Sequence, residues 1–409
     1  MATQRKPSIT DKLNSFKKAA DLPQPKRTPG FEIESVVPGS FLSTRLGEVF
    51  VVEQKFGPDY LHGSTSIVCS SSLSLISQWA KDPRIAELPV SELAFLDTET
   101  TGLMGGTGVL PFLVGAARFI NGELVSKQFF MRDPADEPAL LEGLADFLAP
   151  AKALVTFNGK AFDAPILTTR YVLNRMPVPY KGYCHIDLLP LARRLWRDRL
   201  ESRALKYLEE HVLGLKRTSE EVPGYEIPWL YGDYLRTRDA RPLAGVFYHN
   251  AMDVVAMAAL LNHMNEMITN PYEGPVEHGL DFIALGKLFE DLGLWDEAAR
   301  LFERGLEFEI TETDFNTAVK RLSILQKRRG DFEQAVRLWE KAAAEGYIYA
   351  HIEIAKYYEH KRRDVKSAIQ WTRSALEHVE SGSLPAYERK YWQSEIAHRL
   401  ARLERKDGI

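Results

Sequence analysis

Cysteine is almost absent from this sequence. Cys69 and Cys184 are the only two among 409 residues, too few for a disulfide framework or a structural zinc site and too far apart for a CxxC motif. The small disulfide-stapled folds are excluded, and reduced thiols of a cytoplasmic protein are expected. No apolar run approaches the roughly 20 residues of a membrane-spanning helix, and residues 1–30 hold no apolar stretch of signal-peptide type. Neither secretion nor a membrane partner is expected. A dominant charge is lacking too: the net charge of −4 argues against a protein that coats nucleic acid over its whole surface. Basic residues are nevertheless concentrated locally, with seven basic and two acidic side chains in residues 1–30 and eight and four in residues 193–217.

The length exceeds what one hydrophobic core organises, so two or three domains are expected. Residues 1–30 read as a basic flexible tail ending in a Pro-containing linker, and Ile9, Leu13, Phe16 and Ala20 recur in it at helical spacing. Residues 31–90 read as an extension with its own hairpin, Ser40–Arg45 and Val49–Gln54. His62, followed by Gly63, reads as a turn residue. From Leu93 the pattern becomes that of an α/β domain over residues 91–270. Apolar strands at Leu93–Leu96, Phe112–Phe119, Leu124–Met131, Ala153–Phe157 and Cys184–Leu188 alternate with helices at Glu137–Leu148, Ala161–Arg175 and Leu188–Trp196, which implies a mixed sheet flanked by helices. After Pro275 the chain is all-helical. Ala298, Ala335 and Ala368 occupy equivalent places in three similar segments, 37 and 33 residues apart. The spacing brackets the roughly 34-residue tetratricopeptide repeat and predicts about three such repeats over residues 277–405.

The most informative stretch is Leu93-Ala-Phe-Leu-Asp-Thr-Glu-Thr-Thr-Gly-Leu103. Asp97 and Glu99 are one residue apart at the end of a strand, where alternate side chains share a face. Two carboxylates that close repel unless cations lie between them, and hard oxygen ligands suit Mg²⁺ or Mn²⁺.

This stretch resembles the first motif of the DEDD exonucleases of ribonuclease-H-like fold, and two more of that family's motifs follow in order. Thr156-Phe-Asn-Gly-Lys-Ala-Phe-Asp163 is similar to the second, and His249-Asn-Ala-Met-Asp253 supplies the third. The resemblance implies that Asp97, Glu99, Asp163 and Asp253 hold two metal ions about 4 Å apart. It also implies that Asn158, Thr98 and Phe162 contact the substrate, and that the reaction trims a 3′ end, most simply a single-stranded one, to nucleoside 5′-monophosphates. The order of parts after residue 30 is similar to that of the YprB-like group of predicted bacterial exonucleases.

One subgroup of the DEDD family carries His five residues before the last Asp, and another carries Tyr four before it. Here Tyr248 is at minus five and His249 at minus four. On a helix the minus-four position shares nearly the same face as Asp253, which favours His249 as general base. Asp187 reads as a helix N-cap, the Gly105–Gly108 stretch as a loop beside the site, and Trp196 and Trp229 as packing residues. Two functions compete. One is a nuclease whose repeats recruit a protein partner; the other is a catalytically weak nucleic-acid-binding scaffold acting through the repeats.

Overall fold

The computed structural model describes residues 30–102, 108–218, 221–382 and 384–408. The amphipathic pattern in residues 1–29 and most of the Gly-rich loop at 103–107 lie outside these. The chain forms two compact units, Met1–Pro190 with Ala204–Asn265, and Leu191–Arg203 with Glu266–Ile409.

In the first unit the strands are β1 (Ser40–Thr44), β2 (Gly47–Phe56), β3 (Leu61–His62), β4 (Thr65–Ser66), β5 (Leu93–Thr100), β6 (Pro111–Ile120) and β7 (Glu123–Phe130). Helix α1 (Glu137–Leu148), β8 (Ala153–Thr156), α2 (Asp163–Leu173) and β9 (Cys184–Asp187) follow. Then come α3 (Leu188–Trp196), α4 (Leu205–His211), α5 (Ile227–Thr237) and α6 (Ala244–Thr269), of which α3 from Leu191 and α6 from Glu266 belong to the second unit. Seven strands form one sheet in the order β1-β2-β7-β6-β5-β8-β9. The strands β5, β8 and β9 run parallel, and the other pairings are antiparallel. This is the mixed, helix-flanked sheet that the alternation of elements implies. The β1–β2 hairpin is the outer edge of this same sheet, because β2 pairs with β7 from Phe50↔Phe130 to Phe56↔Leu124.

The central strand β5 is wholly buried over Leu93–Leu96 and partly exposed over Asp97–Thr100. Its apolar half therefore anchors an acidic end that runs four residues beyond the expected strand. Next to it, β6 is buried along nearly its whole length, which lets α6 lie against it. Gly115 of β6 pairs with Asp97, and a Cβ there would stand 2.3 Å from Asn250 Oδ1 and 2.9 Å from Val254 Cγ2 on α6. The missing side chain thus sets how closely α6 approaches the sheet. Among the described residues, helix α6 belongs to the one segment, Arg241–Thr269, that is long and apolar enough by composition to cross a membrane, although it holds no unbroken apolar run of that length. It carries Asn250 and Asp253, and 67% of its apolar window is buried inside the protein, so its apolarity is used in the core.

In the second unit, α7 (Gly279–Asp291) pairs with α8 (Trp295–Gly305), α9 (Glu312–Arg329) with α10 (Phe332–Ala344), and α11 (Ile348–Tyr357) with α12 (Val365–Ser381), before α13 (Ala386–Asp407). Ala298, Ala335 and Ala368 are all fully buried, as close packing of paired helices requires. Residues 191–203, which the sequence pattern groups with the α/β part, are tied to this helical unit. Arg199 donates to Asp281 at 2.7 Å, Lys287 to Asp198 at 2.7 Å and Arg194 to Asp291 at 2.5 Å.

Gly115→Ala is expected to destabilise the first unit by about 1–3 kcal/mol, the usual cost of overpacking a filled site. A urea titration followed by tryptophan fluorescence measures it, and an unchanged midpoint would show that α6 can retreat freely.

Candidate functional site

Asp97, Glu99, Asp163 and Asp253 come from β5, α2 and α6 and converge at the exposed end of the central strand. Asp97 and Glu99 meet residues of α6. Asn250 donates its amide N–H to Asp97 Oδ2 at 2.8 Å, and His249 Nε2 lies 3.8 Å from Glu99 Oε1. Thr98, between the two acids, donates its hydroxyl to Asp163 Oδ1 at 2.5 Å. Asn250 is itself fixed, because Gln128 donates to its Oδ1 at 3.0 Å and to the Phe247 carbonyl at 2.8 Å.

The electrostatics follow from burial and crowding. Removal from water raises the Asp97 carboxyl well above its usual range, and the neighbouring charges of Asp253, Glu99 and Asp163 add to the effect while Asn250 opposes it. Glu99 is pushed to about 8 by burial and then by Asp253 and Asp163, with Arg217 opposing. Burial raises Asp163 to about 6 despite the Thr98 hydrogen bond.

One positive charge is built into this end of the site. Arg217, with a side chain only 1% exposed, donates to Asp253 Oδ1 at 2.5 Å, to Glu209 Oε2 at 2.5 Å and to Glu221 Oε1 at 3.1 Å. Glu209 is in turn held by His62 Nε2 at 2.6 Å, both side chains being fully buried. His62 is thus a buried hydrogen-bond partner of Glu209 on a short strand and not a turn residue. The β3–β4 hairpin that bears it presses on the loop after α4. The Ser64 N–H donates to the Leu213 carbonyl at 2.8 Å, and a Cβ on Gly63 would lie 1.9 Å from that oxygen. The local sequence held no signal for Arg217, which looked like one more cation of a basic stretch, whereas Asn250 lay inside the third motif.

His249 sits within the acidic group. Its Nδ1 is 3.2 Å from Glu221 Oε1 and its Nε2 is 3.5 Å from Asp253 Oδ2. Tyr248 points elsewhere, its hydroxyl accepting the Thr218 N–H at 3.2 Å. Asp187 is occupied by backbone donors. It takes the Leu189 N–H at 3.2 Å as an N-cap does, and also the N–H groups of Asn158 at 2.7 Å and Lys160 at 3.2 Å. It therefore shapes the loop leading to Asp163, in which Asn158 adopts a left-handed φ of 69°. Two cavities open from the site and share Gly224. One of about 180 Å³ is lined by Thr98, Glu99, Phe162 and Asp163, and one of about 340 Å³ by Lys206, Glu221, His249 and Asp253. Phe162 is 46% exposed there. Trp196 is buried as a packing residue, but Trp229, read as packing, is 77% exposed.

Among the described residues no three acidic, His or Cys side chains are preset around a single ion. The carboxylates are turned instead onto Asn250, Thr98 and Arg217. Their donor chemistry still fits a hard divalent cation. Burial and neighbouring carboxylates raise the three acids on β5 and α2, and the fourth, Asp253, shares one buried guanidinium with Glu209 and Glu221.

An α/β fold of this strand order with an acidic cleft at the end of its central strand is ribonuclease-H-like. Residues 94–265 match the sequence profile of the RNase_H superfamily. The Bacillus subtilis (strain 168) protein named "Uncharacterized protein YprB" is 36% identical over 323 residues, covering 77% of this chain and 75% of that one. The chain belongs to the RNase_H superfamily and, within it, to the YprB-like group. Membership supports a nuclease-type hydrolase acting on nucleic acid, and members of the superfamily generally use divalent metal ions.

Two measurements follow from the charges. Glu99 and Asp163 titrate higher in the folded protein than the unfolded carboxyl value of about 4, so folded chains retain protons that unfolded chains have released. Their contribution to stability is present below about pH 4 and lost as the pH rises through about 6 to 8. In EDTA the melting temperature is expected to fall over that window, and Asp97→Asn should melt higher than the parent at its upper end. Mn²⁺ should then stabilise the parent more than the variant, and equal shifts would mean that these acids bind no cation. Arg217→Met is expected to cost about 3–5 kcal/mol in a urea titration, because it leaves buried acids without their counter-charge. A neutral result would remove Arg217 from any structural role at the site.

Proposed function

We propose that the chain is a metal-dependent 3′–5′ exonuclease acting on single-stranded ends of DNA or RNA and releasing nucleoside 5′-monophosphates. The observation that carries this reading is the convergence of four acids at the mouth of a cleft, where burial and neighbouring carboxylates raise Asp97, Glu99 and Asp163. Superfamily membership supports the same reaction class.

Asp97, Glu99, Asp163 and Asp253 are the residues that would hold two Mg²⁺ or Mn²⁺ ions. When bound, such cations activate water and stabilise the leaving oxygen of an in-line displacement at phosphorus. The chain's own residues do the rest. Thr98 orients Asp163 through its hydroxyl, Asn250 orients Asp97, and Arg217 fixes one oxygen of Asp253. His249, placed between Glu99, Glu221 and Asp253, takes the proton from the attacking water, and these acids stabilise the imidazolium that results. The exposed ring of Phe162 at the cleft provides a face for the terminal base, with Asn158 on the same loop beside it.

Hydrolysis of labelled single-stranded DNA and RNA, with product length and terminus resolved, tests the proposal. Activity should require Mg²⁺ or Mn²⁺ and vanish in Asp97→Ala and in Asp163→Ala, and turnover in EDTA would overturn it. His249→Ala is expected to lower kcat by about 10²-fold or more with little change in oligonucleotide affinity, and Tyr248→Phe by much less. The opposite ranking in single turnovers would assign the proton transfer to Tyr248.

A further inference from the structure

The helical unit contains a cavity of about 620 Å³, larger than either cavity at the acidic site, between α9, the start and middle of α10, α11 and the turn after it. Its lining is basic and aromatic. Lys320, Lys327, Arg328, Lys356 and Lys361 are set against a single acid, Glu353. That acid is already held by Lys327 and Lys356, each at 2.7 Å, so the remaining three cations face the cavity in excess. Several of these cations lie against rings. Lys320 Nζ is 5.0 Å from the centre of Tyr349, Lys327 5.9 Å from Trp339, and Lys361 4.6 Å from Phe332. Tyr349 and Trp339 line the same space through their rings, while their polar atoms, Tyr349 Oη and Trp339 Nε1, are buried.

We propose that this groove is a secondary binding site for single-stranded nucleic acid. A strand presents phosphates and base faces at alternating positions, which is the pairing of ammonium and ring found here. An extended acidic peptide would supply the charge, but it carries no regular series of flat faces to set against the rings of Phe332, Trp339 and Tyr349. The choice of nucleic acid as occupant rests on the nuclease reading; the charge and ring pattern do not.

The test is fluorescence anisotropy of labelled oligothymidylate and oligouridylate with the full chain in EDTA, titrated between about 50 and 200 mM salt. The double variant Lys320→Gln/Lys361→Gln is expected to bind about tenfold more weakly and to lower the salt slope by about one to two. Tyr349→Leu should weaken binding at every salt concentration with the slope kept. Circular dichroism melts identify any variant that fails to fold, and Arg328→Gln then replaces it. Unchanged affinity and slope in folded variants would overturn the proposal, and so would polyglutamate of equal length competing as well as the oligonucleotide, which would make the groove a site for acidic protein segments. Hydrolysis of thymidine 5′-monophosphate p-nitrophenyl ester, too short to reach along a groove, separates the two readings. Its persistence in the groove variants supports this one, and its absence from the parent protein would sink the nuclease reading while leaving the binding result to stand alone.

Discussion

Like charges brought together out of water are the constraint around which the first unit is built. Asp97 and Glu99 sit on the central strand, Asp163 at the first turn of a helix and Asp253 inside a long buried one; burial raises the carboxyls of Asp97, Glu99 and Asp163, and neighbouring acids raise them further. Repulsion on this scale persists only where the rest of the fold over-determines the geometry, and strain of that kind is characteristic of sites that bind or react. Here the compensation is visible. One buried guanidinium, Arg217, is shared among Asp253, Glu209 and Glu221, and a neutral amide, Asn250, steadies Asp97.

That compensation explains why residues far from the acidic motifs belong to the same structure. The β3–β4 hairpin carries His62 onto Glu209 and closes on the Leu213 carbonyl, so the loop bearing Arg217 is clamped from the N-terminal side. Gln128 on β7 holds Asn250, and Gly115 on β6 makes room for it. The site is thus a product of the whole sheet and not of the three motif segments alone. A cation that entered would meet carboxylates already biased toward protein donors, so binding must compete with Arg217 and Asn250 and repay them through relieved repulsion.

The helical unit shows a different economy. Its fully buried alanines and large apolar side chains make the stack, while cations gathered around aromatic rings are left lining a cavity. The repeat pattern in the sequence is generic and says nothing about ligand. Which lysines line the cavity, and that Glu353 pairs with two of them, depends on how α9, α10 and α11 pack.

Much of this protein was legible before any coordinates. The apolar half of β5 and the boundaries of Glu137–Leu148 follow from local periodicity, because each depends on neighbours within a few residues, and the three buried alanines follow from the repeat spacing. Alternation along a strand likewise put Asp97 and Glu99 on one face, whereas their union with Asp163 and Asp253 was what the resemblance to the DEDD motifs implied. Only the tertiary structure decided the rest. It placed the early hairpin on the main sheet, tied residues 191–203 to the helical unit, and left Trp229 exposed where a core tryptophan was expected. It also buried His62 beside Glu209, 147 positions away in the chain, and Arg217 beside Asp253. Charge compensation across such separations leaves no periodic trace, because electrostatic partners are chosen by proximity in the folded state and not by order in the chain.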